Sequence, residues 1–226
     1  MTIVAWVDVK SLLSVPETAE QLRVNRQKVL AFITDGRLPA IRVGRDWRVS
    51  IVDVTRFLQT QRRPGRPLDP AAAWTLLLEA EATGRVLVRR SAADHDAFWL
   101  VNLVRRRACV RRLHALDALV VDIGLELVVG GEPAGGRHGF APRDAHRFSD
   151  GYIPSSAADS LVSRYALVDA VGDETNVLLR MVDDDVWPFP ADTTTVGPLV
   201  AAVDMLSDPI DDRSVESALP TVDSYL

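Results

Sequence analysis

The apolar positions of the first sixty residues follow a helical period twice, then alternate, then return to a helical period. The first helix is expected to begin at Pro16, where the missing N–H costs nothing, and to run to about Leu22. Asn25 is a strong N-cap for a second helix, Arg26 to Asp35, which Gly36 closes. The pattern therefore predicts two helices joined by a tight turn.

The second predicted helix has two unlike faces. Val29, Phe32 and Ile33 recur at helical spacing, so that face is expected to pack inward. The outward side chains are Arg26, Gln27, Leu30, Ala31 and Thr34, with Lys28 at the flank. Arginine and glutamine in the first turn of such a helix can pair with guanine and adenine in a DNA major groove.

A small basic hairpin and a third helix are expected to follow. The segment 40–49 alternates, which predicts that Ile41, Val43, Trp47 and Val49 face the core while Arg42 and Arg48 face outward. Gly44, Arg45 and Asp46 turn the chain. Ser50 is expected to cap a helix whose apolar positions seal this unit: Val52, Val54, Phe57 and Leu58.

In this order of elements, residues 12–58 resemble the excisionase-type, MerR-like winged helix-turn-helix family. The matching segments are 15–22, 24–26 and 36–49. The resemblance implies DNA binding, with the second helix in the major groove and the wing on the backbone or in the minor groove. The implied DNA-binding residues are Asn25, Arg26, Gln27, Lys28, Thr34, Arg42, Arg45 and Arg48. The sequence departs from the family at Arg23, where glycine is common, and at the apolar pair Leu30 and Ala31.

Two prolines that bracket a glycine interrupt the chain after the third helix. We expect residues 1–60 to form a winged helix-turn-helix domain, the head, and residues 61–68 to form a basic linker. Its Pro-Gly-Arg-Pro core resembles a minor-groove AT-hook, which would add Arg63 and Arg66 to the DNA contacts. A plain basic linker is the alternative.

Residues 69–226, the body, begin with a well-marked helix. Asp69 as N-cap, Pro70 at the first position and Gly84 beyond the end frame it, with Trp74, Leu77, Leu78 and Glu81 inside. Ser91 and Asp94 predict the start of a second helical region that reaches about Leu116, with a break near Asn102. Its arginines, 105–107 and 111–112, form a solvated helix face or a second nucleic-acid contact.

The rest of the body predicts an α+β fold with a small sheet. Strands are expected at 125–129, 176–182 and 199–205. Helices are expected from Ser155 or Ser156 to Arg164 and over 214–219, and a loop over 130–139.

Charge divides the chain although its net value is only −5. Residues 1–67 hold 12 basic and 6 acidic side chains, whereas residues 113–226 hold 6 basic and 20 acidic ones. The basic front favours a polyanion, because lysine and arginine displace counterions from phosphates. The acidic back suits a protein partner, or serves only to keep the body soluble.

The remaining chemistry-bearing residues predict no catalytic, metal or cofactor site. The single cysteine, Cys109, excludes an internal disulfide, and the four histidines lack metal-ligand spacing. The run 183–185 of three aspartates is interpreted as a solvated turn, since adjacent carboxylates point in different directions. No apolar run approaches the roughly 20 residues that span a bilayer, so a cytoplasmic location without membrane contact is expected.

Parts of the body resemble helix-turn-helix antitoxins that pair with nucleotidyltransferase toxins of the abortive-infection, type IV class. The similar segments are 151–155, 161–168, 176–180, 186–189 and 200–204. This resemblance implies an autorepressor whose acidic body binds a toxin. An excisionase-like architectural factor for recombination is the alternative, and a nucleic-acid enzyme targeted by the head comes third. A single head offers little specific contact, so a dimer or several copies on DNA are expected.

Overall fold

The computed structural model describes residues 12–60, 66–87, 96–139 and 147–226. In the head, three short strands and three helices follow one another. They are β1 (Leu12–Ser14), α1 (Val15–Gln21), α2 (Arg26–Thr34), β2 (Ile41–Val43), β3 (Asp46–Ser50) and α3 (Ile51–Thr60). The strands form an antiparallel sheet in the order β1-β3-β2. The order of elements predicted for this region is confirmed.

The described part of the body packs helices around a mixed sheet. Its helices are α4 (Pro70–Thr83), α5 (Ala97–Val104), α6 (Val120–Leu125), α7 (Gly131–Arg137), α8 (Ser155–Arg164), α9 (Pro198–Ser207) and α10 (Asp212–Asp223). Its strands are β4 (Cys109–His114), β5 (Val128–Val129), β6 (Ser149–Pro154), β7 (Val168–Asp169) and β8 (Val177–Val182). They lie in the order β5-β6-β8-β4-β7, and only β6 and β8 pair in parallel. The predicted α+β fold is confirmed.

Several predicted body elements are present where local signals were strong. Asp69 caps α4 by accepting a hydrogen bond from the Ala72 amide at 2.9 Å, and Gly84 ends it in a left-handed conformation with φ 73°. Strand β8 and helices α8 and α10 also lie where they were predicted. The predicted helix start at Ser91 and Asp94 lies outside the described residues.

Three predictions for the body are wrong. Residues 109–114 form a strand instead of continuing a helix, because they pair along their length with β8. Residues 199–205 lie in helix α9 and not in a strand. They are buried on every side of the helix, so their sequence lacks the alternation of apolar and polar residues that marks a helix. Residues 131–137 form helix α7 instead of a loop. Of the strand predicted over 125–129, only 128–129 is extended.

The start of helix α7 needs a glycine at position 131, because the backbone there approaches two buried carboxylates. The amide of Gly131 donates to Asp204 at 3.2 Å, and a Cβ at Gly131 would lie 1.9 Å from an Asp150 oxygen. The residue also has a φ of 48°, which favours glycine. Gly130 and Gly131, which in the sequence favour a loop, therefore permit close packing here.

A buried ion network holds the sheet to α9. Arg180 on β8 binds Asp150 through Nε at 2.6 Å and Nη2 at 2.8 Å, and binds Asp208 at 2.9 Å. Arg107 donates to Asp204 at 2.5 Å. Burial raises the pKa of Asp150 to about 6 against the opposing effect of Arg180. The charges are mutually compensated, which is the condition under which buried ions persist.

The arginine-rich stretch 105–112 is therefore not the solvated helix face that its sequence suggested. Arg107 is 4% exposed, and Arg111 and Arg112 lie on strand β4. Arg112 binds Asp208, and Arg111 binds Asp169 at 3.1 Å. Only Arg105 and Arg106 of this stretch are exposed without an ion pair among the described residues.

The head and the body share one apolar core. A continuous cluster of buried side chains runs from Val29 and Phe32 through Phe57 to Trp74 and Leu206. Polar contacts join the same surfaces: the Asp212 carboxylate of α10 accepts from the Ser50 hydroxyl at 2.6 Å and from the Val52 amide at 2.9 Å. The division into residues 1–60, 61–68 and 69–226 stays a prediction, but the described head is packed on the body.

None of the helices in the described ranges combines the length and the apolar character that crossing a bilayer requires.

Candidate nucleic-acid interface

The outer face of helix α2 is open to solvent at the residues predicted to read DNA. Arg26, Gln27 and Lys28 are exposed in its first turn. Asn25 is the N-cap, and its side-chain oxygen accepts from the Lys28 amide at 2.9 Å. The cap orients the first turn, so Asn25 holds the reading residues in place. Thr34 is exposed at the far end, where its hydroxyl donates to the Leu30 carbonyl at 2.9 Å.

The inner face of α2 is fixed by aromatic packing. Val29 is fully buried, and the ring of Phe32 lies 4.8 Å from that of Phe57 on α3. The Arg37 guanidinium lies over both rings, 4.9 Å from the Phe32 centroid and 5.7 Å from that of Phe57. Arg37 is an exposed cation next to α2 that was not among the predicted site residues. Its position directly after Gly36, which ends the helix, is the signal that could have identified it.

The tight turn before α2 places an arginine where the family commonly has glycine. Arg23 adopts the left-handed conformation with a φ of 53°, and the Val24 amide donates to the Ala19 carbonyl at 3.0 Å. The Arg23 side chain reaches the body, 3.5 Å from the carboxylate of Asp96 at the start of α5. The departure at Arg23 thus preserves the turn and adds a contact to the body.

The wing is a two-strand hairpin whose first strand has the opposite phase to the one predicted. Ile41 and Val43 were expected in the core, but they are 46% and 41% exposed. The reason is the register: Val43 pairs with Asp46 across the turn, so Arg42 pairs with Trp47. The Arg42 guanidinium lies 5.7 Å from the Trp47 ring centroid. The correction leaves the wing more exposed and more apolar than expected.

The predicted site residues fall into three groups. Helix α2 and its cap carry Asn25, Arg26, Gln27, Lys28 and Thr34, and the wing carries Arg42, Arg45 and Arg48. Arg66 is exposed at the start of the described body, whereas Arg63 lies outside the described residues. Leu68 binds the Leu103 carbonyl through its amide at 2.9 Å, so the chain is tied to the body two residues after Arg66.

Helix α2 and the wing carry five predicted site cations, of which four are exposed and one, Arg48, is half-buried. Within the described ranges, none of the following has an ion pair: Arg26, Lys28, Arg42, Arg45 and Arg48. Arg48 lies near enough to Glu17 to contribute to a lowered pKa of that carboxyl, after the larger effect of hydrogen bonds from Ser14. Uncompensated surface cations on one unit are the electrostatic footprint of a phosphate-binding surface.

A comparison with known protein families identifies a helix-turn-helix domain in the same part of the chain. Residues 12–62 match the helix-turn-helix domain family. The match covers the described residues of the head, which include α1, the Arg23 turn and α2. No curated protein and no solved structure matched the chain. The resemblance of the body to antitoxins therefore stays a prediction.

Proposed function

We propose that this protein is a DNA-binding transcriptional regulator that represses its own gene. The observation that carries the proposal is the first turn of α2, where Arg26, Gln27 and Lys28 are exposed while the opposite face is buried. A helix that is rigidly held on one side and polar on the other fits the major groove, which is about 12 Å wide. The match to helix-turn-helix domains supports this assignment.

Each side chain of the interface has a distinct task in this proposal. Arg26 donates two hydrogen bonds to guanine, and Gln27 pairs with adenine. Lys28 contacts phosphate, since its ammonium acts as a point charge. Leu30, which is 41% exposed, is placed to contact a thymine methyl group.

The wing contacts the DNA backbone in this proposal. Arg45 is exposed in the hairpin turn, and Arg42 is exposed with its guanidinium 5.7 Å from the Trp47 ring centroid. Phosphate contacts of this kind fix register and orientation without reading sequence. Because one short helix reads few base pairs, two or more copies are expected on adjacent half-sites about one helical turn apart.

A reporter driven by the DNA upstream of the protein's own gene tests the regulatory role in cells. The wild-type chain should lower reporter output, and the double variant Arg26→Ala and Gln27→Ala should restore it at equal protein level. The matched control is Arg106→Ala, an exposed arginine of the body, which should repress like wild type. Equal repression by the double variant would overturn the assignment of α2 as the reading helix.

We further propose that the body binds a protein partner, in the manner of an antitoxin. In support, β7 is an edge strand of the five-stranded sheet. Val168 on this strand and Val171 two residues after it are 58% and 79% exposed, and Leu116, two residues after the neighbouring strand β4, is 72% exposed. An exposed strand edge is a template for pairing with another chain. The acidic composition of residues 113–226 suits a basic partner.

Co-expression with the product of the neighbouring gene separates the two roles. The wild-type chain should relieve growth arrest, the α2 double variant should still relieve it, and Val168→Arg should lose relief while keeping repression. The excisionase alternative predicts an adjacent integrase gene and DNA bending instead. A neighbour that is not toxic, or relief that is insensitive to Val168→Arg, would contradict the antitoxin role at this edge.

A further inference from the structure

A cavity of about 320 Å³ lies where the head meets the body. One wall is apolar and is formed by Leu58 of α3, Phe98 and Val101 of α5, and Val110 of β4. Asn102 and Arg105 line it beside that wall. The volume is at the small end of the range for ligand pockets, roughly 300–1,000 Å³, and such pockets combine apolar walls with few polar groups.

Among the charged side chains that line this cavity, Arg105 differs from the others in having no ion pair with a described residue. Arg107, Arg180 and Asp208 also line it, but their charges are paired. Arg107 binds Asp204, Arg180 binds Asp150 and Asp208, and Asp208 also binds Arg112. Arg105 is different, because it is exposed and forms no ion pair with any described residue. The lining thus offers an apolar surface with one uncompensated guanidinium beside it.

We propose that this cavity binds a small amphipathic carboxylate as an effector. Its acid group would bind Arg105 and the Asn102 amide, and its apolar part would lie among Leu58, Phe98 and Val101. Charge-assisted hydrogen bonds to a guanidinium select the acid, and the apolar wall selects the rest of the molecule. The inference rests on the proposed regulatory function and adds a signal to which the regulator responds.

A short packed path connects the cavity to the reading helix. Leu58 is next to Phe57 on α3, and the Phe57 ring lies 4.8 Å from that of Phe32 on α2. A ligand that contacts both Leu58 and α5 bridges head and body, and it stabilises the arrangement in which α3 holds α2 through Phe57 and Phe32. Occupancy of the cavity therefore raises the affinity for operator DNA, by differential binding to that arrangement.

Binding is tested with two probes of equal length, 4-phenylbutyrate and 4-phenylbutanol, titrated calorimetrically into the full chain without DNA. The acid should bind about tenfold or more tightly than the alcohol, because only the acid forms a charge-assisted bond. Arg105→Gln should abolish this preference, whereas Arg106→Gln, its exposed neighbour outside the cavity, should keep it. Absence of saturable binding by wild type, or an unchanged preference in Arg105→Gln, would overturn the proposal.

Filling the cavity provides a second variant. Ala108 lines it and is half-buried, so Ala108→Phe should abolish binding of both probes. Its circular dichroism and its operator affinity without probe report whether it remains folded. Undiminished binding by folded Ala108→Phe would place the probes elsewhere and overturn the proposal. If this variant does not fold, the comparison of Arg105→Gln with Arg106→Gln decides.

Coupling is measured as the operator affinity with and without saturating 4-phenylbutyrate. We expect at least about fivefold tighter DNA binding with the probe, and operator DNA should tighten probe binding by the same factor. Probe binding that leaves operator affinity unchanged or weaker would refute the effector role. Failure of the DNA assay without any probe would instead refute the proposed function.

Discussion

The carboxylate of Asp204 accepts three buried hydrogen bonds in the body. The residue has no exposed surface, and its carboxylate accepts from Arg107 at 2.5 Å, from the Tyr152 hydroxyl at 2.5 Å and from the Gly131 amide at 3.2 Å. Burial and the Asp204 charge both raise the pKa of Tyr152, so the phenol stays protonated and donates. The residue compensates two buried guanidiniums, those of Arg107 and Arg180.

Asp204→Asn should therefore destabilise the protein strongly. Removing one partner of a buried ion pair leaves an uncompensated charge and costs about 3–5 kcal/mol. The matched control is Asp159→Asn, whose side chain is 97% exposed beside Arg111 and whose effect should stay within about 0.5 kcal/mol. Urea unfolding followed by tryptophan fluorescence measures both. Similar losses for the two variants would contradict the role of the buried network.

Glu17 gives the head a pH-dependent helix cap. Its carboxylate accepts from the Ser14 amide at 2.7 Å and from the Ser14 hydroxyl at 2.6 Å, and these bonds lower its pKa. A lowered carboxyl pKa contributes stability above its ordinary value of 4.5, and that contribution is lost as pH falls through the folded-state pKa. Acid should therefore weaken the start of α1.

Comparison with Glu17→Gln isolates this contribution, because the amide does not titrate. Wild type should be the more stable protein at neutral pH, and the difference in free energy of unfolding should shrink as pH falls below 4.5. Urea titrations from about pH 7 to about pH 3 report the difference, because the loss occurs below the ordinary pKa of the carboxyl. A difference that is constant or grows over this range would argue against the cap.

At the scale of elements, two helices begin on carboxylates supplied by other helices. Asp212 of α10 accepts from the Val52 amide at the start of α3. Glu81 of α4 accepts from the Val200 amide at the start of α9 at 3.1 Å, in a space that a Cβ at Gly197 would fill. Burial raises the pKa of Glu81. Such long-range caps fix the relative position of helices as well as their ends.

Asp212→Ala should loosen α3 from the body. Loss of a helix cap costs about 0.5–2 kcal/mol, and the Ser50 hydroxyl, which lies 3.1 Å from the Val52 amide, offsets part of it. Hydrogen exchange should accelerate in the first turn of α3. The control is Asp192→Ala, an exposed aspartate for which no such role is expected. Unchanged exchange in α3 would contradict a cap supplied by α10.

The elements that could be predicted are those whose own residues signal their ends. Asn25, Asp69 and Gly84 mark boundaries by local chemistry, and the structure has them in those roles. Helix α9 could not be predicted, since its N-cap is Gly197 and its capping carboxylate lies more than a hundred residues earlier in the chain. Strand β4 was not predicted for the same reason. It pairs with β8, a segment more than sixty residues later in the chain, and its own sequence does not reveal that pairing.

The candidate site was more predictable than the body. The exposed face of α2 follows from helical period alone, because Val29 and Phe32 determine which side chains remain outside. The sequence did not predict which side chains of β2 face the core. Alternation over three residues is compatible with either face, and the register of the hairpin determines which face is buried. The cavity between α3 and α5 depends on how two distant segments pack, so no local pattern indicates it.

For the whole molecule, head and body form one packed structure in the described residues, with a continuous apolar core. The difference in charge between residues 1–67, which are basic, and residues 113–226, which are acidic, is smaller at the surface than in the sequence. Asp150, Asp204 and Asp208 are internal, where they neutralise buried arginines. Through α3, the body therefore supports α2, the helix that we propose reads DNA, in addition to the partner-binding role that we propose for the body.

The most direct test of the account is a fluorescence-anisotropy titration of the full chain on the DNA upstream of its gene and on a scrambled fragment of equal length. Wild type should prefer the upstream fragment, and Arg26→Ala should lose about 1–3 kcal/mol of that preference while Arg106→Ala retains it. Equal affinity of wild type for both fragments, or an unchanged preference in Arg26→Ala, would contradict the claim that α2 reads DNA.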